Sequence, residues 1–285
     1  MRMIPKIIHY CWLSGDPIPE NYRRCMATWK EKLPDWEFML WDTKRFDINS
    51  VLWVKQAFEA ELYAVAADYI RLYAIYNNGG IYLDMDMEVV KPFDSLLQAD
   101  LLLAYENHIS RNIEAGCFGA VKQHPYIKRC MEYIEGTPLF EPNLRANILD
   151  LPRSERHEFI DPLIMPEIMK NIAEEFFKKD EFHFYPRDYF TAKNVLTGKI
   201  EATENTFTIH HFATQYHSEA WRKNRRSEQK IYAAFGETSA LSKFVLKQRG
   251  RLMGMVRRVK KRGVFATARY YIDRFVLRRR KREDI

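Results

Sequence analysis

The chain, 285 residues long, reads as an α/β protein on three observations. A short apolar run, a helical stretch and a second apolar run follow one another near its start. A longer helical pattern then ends in two glycines and passes directly into a β-rich segment. Hydrophobic residues at 47% and charged residues at 29% lie in or near the range of ordinary globular domains.

The elements follow in order. Lys6–Leu13, opened by Pro5 and closed by Ser14, Gly15, Asp16 and Pro17, predicts a buried first strand and a turn. Glu20–Leu33 has helical spacing with Pro34 as its stop, and Glu37–Trp41 predicts a second strand ending at Asp42. From Val54 to Tyr76 apolar residues recur at helical intervals (Phe58, Leu62, Val65, Tyr69, Leu72), and Asn77, Asn78, Gly79 and Gly80 close that helix. Ile81–Val90 is β-rich. Further strands are expected at Leu101–Tyr105, Cys117–Val121, His183–Tyr185 and Thr206–Phe212, and helices near Pro125–Ile134 and Pro166–Lys178.

This composition excludes a wholly disordered chain, a collagen and a disulfide miniprotein. No apolar run approaches the roughly 20 residues of a membrane span, because Lys6, His9, Asp16 and Glu20 interrupt the opening segment, so neither signal peptide nor transmembrane helix is expected. The four cysteines, Cys11, Cys25, Cys117 and Cys130, form no CxxC pair, which fits reduced, buried thiols in a cytosolic protein. The net charge of +7 is unevenly placed. Residues 240–285 hold 16 lysines and arginines against 3 acidic residues, a net +13, whereas residues 1–239 carry a net −6. Apolar residues interleave with the tail charges, as in basic amphipathic helices broken near Gly263. Such a segment suits an anionic lipid surface, a nucleic acid, or a helix whose basic face is merely solvated. Two parts are therefore expected, a catalytic domain at 1–235 and a basic helical tail at 236–285.

The chemistry concentrates after the double glycine. Asp84 and Asp86 stand two apart at the end of a predicted strand, where alternation sends both carboxylates to one face and Met85 and Met87 to the other. Two hard oxygen ligands on one edge make half a site for Mg²⁺ or Mn²⁺, at the strand end where open α/β sheets bind ligands. In isolation such a pair is more often a solvated turn. Here Asp68 and Arg71, three apart on one face of the preceding helix, bring a cation close to the acids.

These residues carry a resemblance. Ala67-Asp68-Tyr69-Ile70-Arg71 followed by Asn78-Gly79-Gly80-Ile81-Tyr82-Leu83-Asp84-Met85-Asp86 resembles the signature of the DXD-containing sugar transferases of glycosyltransferase family 32. Ile4-Pro5-Lys6-Ile7-Ile8-His9-Tyr10-Cys11-Trp12 is similar to that family's first strand, and Glu204-Asn205-Thr206 running into Ile209-His210-His211-Phe212 to its closing strand. The resemblance spans residues 4 to about 221. It implies a GT-A fold, a nucleotide-sugar donor with UDP-sugars favoured, and Mn²⁺ or Mg²⁺ held by Asp84 and Asp86. It further implies that Asp68 and Arg71 hold the donor sugar and phosphate, that Trp12 stacks on the base beside Tyr10, and that Asn107 and the Gly116–Ala120 segment face the donor sugar and acceptor. One histidine of the His210–His211 pair would complete the metal shell, and the expectation falls on His211. Asp161-Pro162 is placed on the acceptor side. Where relatives continue from the histidine pair into Gly-Ser-Trp, this chain reads Thr214-Gln215-Tyr216.

The function expected from the resemblance is a retaining, metal-dependent hexosyltransferase of bacterial surface polysaccharide synthesis, acting on a lipid-linked glycan. Its tail would attach it peripherally to anionic lipid at the inner membrane face. The same active-site residues would serve a toxin-like transferase that modifies a protein. A nucleic-acid-binding protein using the tail is the non-enzymatic alternative; the acidic body has no basic RNA-binding motif, and no nucleic-acid partner is expected.

Overall fold

The computed structural model describes residues 3–107, 111–140, 149–151, 156, 165–178, 182–213 and 219–250. Expectations that fall on Asp161, Pro162, Thr214, Gln215, Tyr216 and the break near Gly263 lie outside those residues. The chain divides into two compact units, Met1–Lys223 and Asn224–Ile285.

The first unit is built on a five-stranded mixed sheet, order β2-β1-β3-β6-β5. Strand β1 (Ile7–Cys11) pairs in parallel with β2 (Glu37–Trp41) on one side and with β3 (Gly80–Leu83) on the other. Parallel neighbours need crossovers. Helix α1 (Glu20–Lys32) supplies the first, and α2 (Leu52–Glu59) with α3 (Tyr63–Asn78) the second. The sheet then turns antiparallel through β6 (Cys117–Ala120) and β5 (Leu101–Leu102). The α/β class is as expected, with the acidic pair just past the carboxyl end of central strand β3.

All four residues of β3 are buried. Ile81 and Leu83 enter one apolar cluster with Trp29, Leu33, Phe93 and Phe207; Tyr82 points into the other with Ile70, Leu72 and Phe118. A strand covered on both faces has to be apolar on both, which is why it reads as a continuous run. The approach of β1 to β3 depends on Gly80, whose φ is +109° and where a Cβ would lie 2.6 Å from the Ile7 carbonyl oxygen; only glycine serves.

The single helix expected over Val54–Tyr76 is two. Glu61 sits at φ +57°, its amide donates to Phe58, and the Leu62 amide donates to Ala57 at 2.8 Å. That is a Schellman stop with glutamate where glycine is usual, so no sequence signal marks it. The β-rich segment Ile81–Val90 also divides: β3 belongs to the large sheet, and β4 (Met87–Val89) pairs antiparallel with β7 (Thr208–His210) in a separate two-stranded sheet. The strand expected at His183–Tyr185 reduces to a single bridge, Ala104 to Tyr185. Helix α4 (Pro125–Glu135) is capped by His124, whose side chain accepts the Tyr126 amide; α5 (Met165–Phe176) and a short α6 (Arg187–Phe190) follow. The four thiols are free, and no described helix is long and apolar enough to cross a membrane.

Helix α7 covers Glu219–Phe235. Within the second unit residues 240–250 are helical, with Leu241 and Phe244 exposed beside Lys243 and Lys247.

Candidate active site

The acidic pair sits in the turn between the two sheets. After Leu83 the chain leaves β3, and the Met87 amide donates back to the Asp84 carbonyl at 2.9 Å. The two carboxylates are therefore brought together by this turn, and not by alternation along one strand as expected. The Asp84 amide donates to the Gly116 carbonyl at 2.8 Å, tying the turn to the entry of β6. Asp86 accepts the Ala213 amide on Oδ2 at 2.7 Å, and its carbonyl accepts the His211 amide at 3.1 Å. The chain beyond β7 thus wraps around Asp86.

His210, and not His211, is the histidine beside the pair. β7 pairs with β4 so that His210 stands opposite Met87, which places its ring at the turn; Nε2 lies 3.5 Å from Asp86 Oδ1. One ligand atom each from Asp84, Asp86 and His210 lie within 4.8 Å of one another. His211, on the opposite side of the strand, meets Glu88 Oε2 through Nε2 at 2.8 Å.

A third carboxylate, absent from the sequence reading, stands behind His210. Glu114 is 1% exposed and its two oxygens lie 3.1 and 3.0 Å from His210 Nδ1. It also accepts the Gly116 amide at 2.7 Å and the Thr191 hydroxyl. Burial by itself would push the imidazole down, but the charges of Glu114 and Asp86 outweigh it and raise His210 to about 10. Burial likewise opposes ionisation of Glu114, yet the imidazolium and its hydrogen bonds hold its pKa below the usual carboxylate value.

On the other flank Arg71 is 5% exposed. Its guanidinium donates to the Ala115 carbonyl at 2.7 Å and the Ala67 carbonyl at 3.3 Å. Nη2 lies 3.1 Å from Asp68 Oδ1 and 3.5 Å from Asp84 Oδ1, and the Tyr82 ring lies beneath its guanidinium carbon, 4.7 Å from the centroid. Tyr82 donates to Asp84 Oδ1 at 2.9 Å. Burial pushes Asp68 up to about 7 against the pull of Arg71, and burial raises Asp84 as well, with Arg71 opposing and Asp86 adding to it.

Two carboxylates and an imidazole with convergent atoms form a donor set suited to Mn²⁺ or Mg²⁺. Gly116 leaves the room: a Cβ there would lie 2.9 Å from Asp84 Oδ2, 2.9 Å from Glu114 Oε1 and 3.0 Å from His210 Cε1. The residues fit the metal that the motif implies.

The remaining expected residues are placed around this centre. Cys11, at the end of β1, has its thiol in the field of Arg71, Asp84 and Asp68, and burial pushes it up to about 12. Tyr10, its neighbour on the opposite face of β1, meets Trp29 edge-on at 5.6 Å. Trp12 is half-buried rather than a core residue; its indole donates to the Asp16 carbonyl at 2.7 Å and meets Tyr22 edge-on. Asn107 is half-buried in the loop after the Tyr105 bridge. Lys193, missed by the sequence reading, donates to the His211 carbonyl at 2.7 Å, and the Asp86 charge acts on it.

Parts of the chain are similar to known proteins. The family described as glycosyltransferase sugar-binding region containing DXD motif matches residues 19–103. Inositol phosphoceramide mannosyltransferase 2 of Schizosaccharomyces pombe is 28% identical over 137 residues, 47% of this chain and 39% of that protein. Mannosyl phosphorylinositol ceramide synthase of Saccharomyces cerevisiae is 26% identical over 138 residues, 47% of this chain and 36% of that protein. The chain thus spans well under half the length of these two relatives. Among solved structures, the PaToxG glycosyltransferase superposes with a TM-score of 0.45 at 17% identity, covering 61% of this chain and 70% of that one.

Proposed function

We propose, from the match of residues 19–103 to the glycosyltransferase sugar-binding region containing the DXD motif, that the chain is a metal-dependent hexosyltransferase. It takes a nucleotide-sugar donor and passes the sugar, with retention at the anomeric carbon, to a hydroxyl of a lipid-linked glycan. The observation that carries this reading is the convergence of Asp84, Asp86 and His210 beside the Asp68–Arg71 pair.

Sugar transfer breaks the bond from the anomeric carbon to a diphosphate oxygen, so negative charge grows on the leaving group. A divalent ion held by Asp84, Asp86 and His210 supplies Lewis-acid stabilisation of that charge when bound. Arg71 contributes a cation fixed by two backbone carbonyls, which costs no reorganisation as charge develops. Asp68, partly exposed beside it, is the acceptor for donor hydroxyls, and the half-buried Trp12 ring offers a face to the base. Lys193 adds positive charge beside Asp86.

The sugar tried first is mannosyl, because the names of both fungal relatives contain it; the donor class that the resemblance favours is the UDP-sugars. The site is tested by incubating the full chain with UDP- and GDP-sugars, with and without Mn²⁺, and following slow donor hydrolysis. Metal-dependent release of nucleoside diphosphate from one donor class supports the reading; hydrolysis of none, or hydrolysis indifferent to metal, removes it.

The tail belongs to the same proposal. Residues 240–285 carry a net +13, and each basic residue close to anionic lipid contributes about 1 kcal/mol. The exposed Leu241 and Phe244 beside Lys243 and Lys247 support peripheral attachment to such a surface, at the cytoplasmic membrane face where surface polysaccharide is assembled on lipid carriers.

A further inference from the structure

Among buried charged residues in the described part of the chain, Glu114 is the one whose cost the reaction above does not explain. A carboxylate 1% exposed among apolar neighbours is expensive unless every lone pair is used and a cation answers it. Both conditions hold here. The Gly116 amide and the Thr191 hydroxyl fix its two oxygens, and both oxygens face His210 Nδ1 at 3.1 and 3.0 Å. An ionised carboxylate only accepts hydrogen bonds, so Nδ1 must carry the hydrogen. Nε2, on the far side of the ring, is then the nitrogen offered to Asp84 and Asp86. The ring cannot swing away: Phe212, held at φ +50°, stacks on it at 3.9 Å between centroids with 18° between planes.

We propose that Glu114 is a positioning residue for divalent-metal binding, which acts through His210 by fixing the tautomer and direction in which Nε2 meets the Asp84–Asp86 pair. The proposal rests on the metal-dependent reading above and deepens it. Thr191, on the turn that follows α6, belongs to the same device, since its hydroxyl keeps Glu114 turned toward the ring. Residues 114, 191 and 210 come from three separate segments, and this chain of bonds is where they lock.

The test uses Mn²⁺ alone and the full chain, with binding read from the loss of the free Mn²⁺ signal in electron paramagnetic resonance. Glu114→Gln keeps the shape and removes the charge, and is expected to weaken Mn²⁺ binding by roughly 10- to 100-fold. Thr191→Val, which removes one hydroxyl from a buried site, is expected to give a smaller loss of the same sign. The discriminating measurement is a cycle with His210→Ala. Once the ring is gone, Glu114→Gln should change Mn²⁺ affinity by no more than roughly 2-fold, because independent sites would instead multiply their effects. Unchanged affinity in Glu114→Gln, or losses that multiply in the cycle, would overturn the proposal. If Glu114→Gln does not fold, Thr191→Val decides alone, and wild-type affinity in that variant overturns it. Asp86→Asn separates the two readings. If the wild type binds no Mn²⁺, the metal-dependent reading falls and takes this one with it. If Asp86→Asn loses binding while Glu114→Gln keeps it, only the role of Glu114 falls.

Discussion

Two buried histidines mark two regions of opposite character. His9, fully buried in β1, sits between β2 and the start of β3: its Nδ1 accepts the Trp41 indole N–H at 3.0 Å, so Nε2 carries the hydrogen that it donates to the Gly79 carbonyl at 2.8 Å. Burial pushes it down to about 4; the Gly79 carbonyl resists, and Arg45 adds to the fall. His210, also buried, lies among Glu114, Asp86 and Asp84 and is raised to about 10. Residue type and burial are shared, so the neighbours set the sign. The first region is already satisfied as a neutral unit. The second concentrates carboxylates that a proton or a metal cation has to answer.

The largest expected effect removes charge from the second region. Asp86→Asn keeps an oxygen for the Ala213 amide but halves the carboxylate pair. Turnover that depends on Mn²⁺ should fall by roughly 10³-fold, the scale on which removing an electrostatic stabiliser of a transition state is felt. Circular dichroism and the urea midpoint should remain near those of the wild type. A variant that keeps its turnover would show that the two regions do not differ in function as they do in charge.

The next effect reads the first region through pH. His9 is neutral in the fold down to about 4, whereas in the unfolded chain it takes up a proton near 6.5. Above 6.5 both states are neutral and the histidine costs nothing. As pH falls from 6.5 toward 4 the unfolded state binds the proton first, so the fold loses stability across that window, by about 3 kcal/mol. Urea titrations at pH 7, 5.5 and 4.5 measure the slope. His9→Phe should be less stable at pH 7, since the Trp41 N–H and Gly79 carbonyl lose their partner, and should lose less on acidification. Equal slopes for the two proteins would place the pH response elsewhere.

How much of the two regions could be read in advance follows from how each is built. Asp68, Arg71, Asp84 and Asp86 lie within one helix, one strand and one turn, so spacing and the double glycine place them together. Alternation along a strand sends one of His210 and His211 inward, but which one is decided by the pairing of β7 with β4, and no local pattern carries that register. Glu114 sits in a loop before β6 and gains its meaning from Thr191 and His210, 77 and 96 residues away. Gly116, two positions on, was expected to face the donor sugar and acceptor, and not to make room between Asp84, Glu114 and His210. The divided helix at Glu61 hid for a related reason, a left-handed stop made without glycine.

The smallest effect falls where the two flanks of the site meet. Gly116 has no φ that demands glycine, so its backbone accepts alanine; what the methyl meets are side-chain ends, Asp84 Oδ2 at 2.9 Å, Glu114 Oε1 at 2.9 Å and His210 Cε1 at 3.0 Å. The two oxygens are closer than a Cβ tolerates and the ring carbon is at the limit, so a shift of a few tenths of an ångström is needed. Overpacking of this kind costs about 1–3 kcal/mol when the surroundings are rigid. Here the displaced atoms belong to the proposed ligands and to the carboxylate behind them, so the cost should appear in metal affinity more than in folding. Gly116→Ala is expected to bind Mn²⁺ roughly 10-fold more weakly, the lower end for disturbed supporting groups, with a melting temperature close to the wild type. A lowered melting temperature with undisturbed Mn²⁺ affinity would mean that the glycine serves the packing of β6, and that the space beside Asp84 is not where the cation goes.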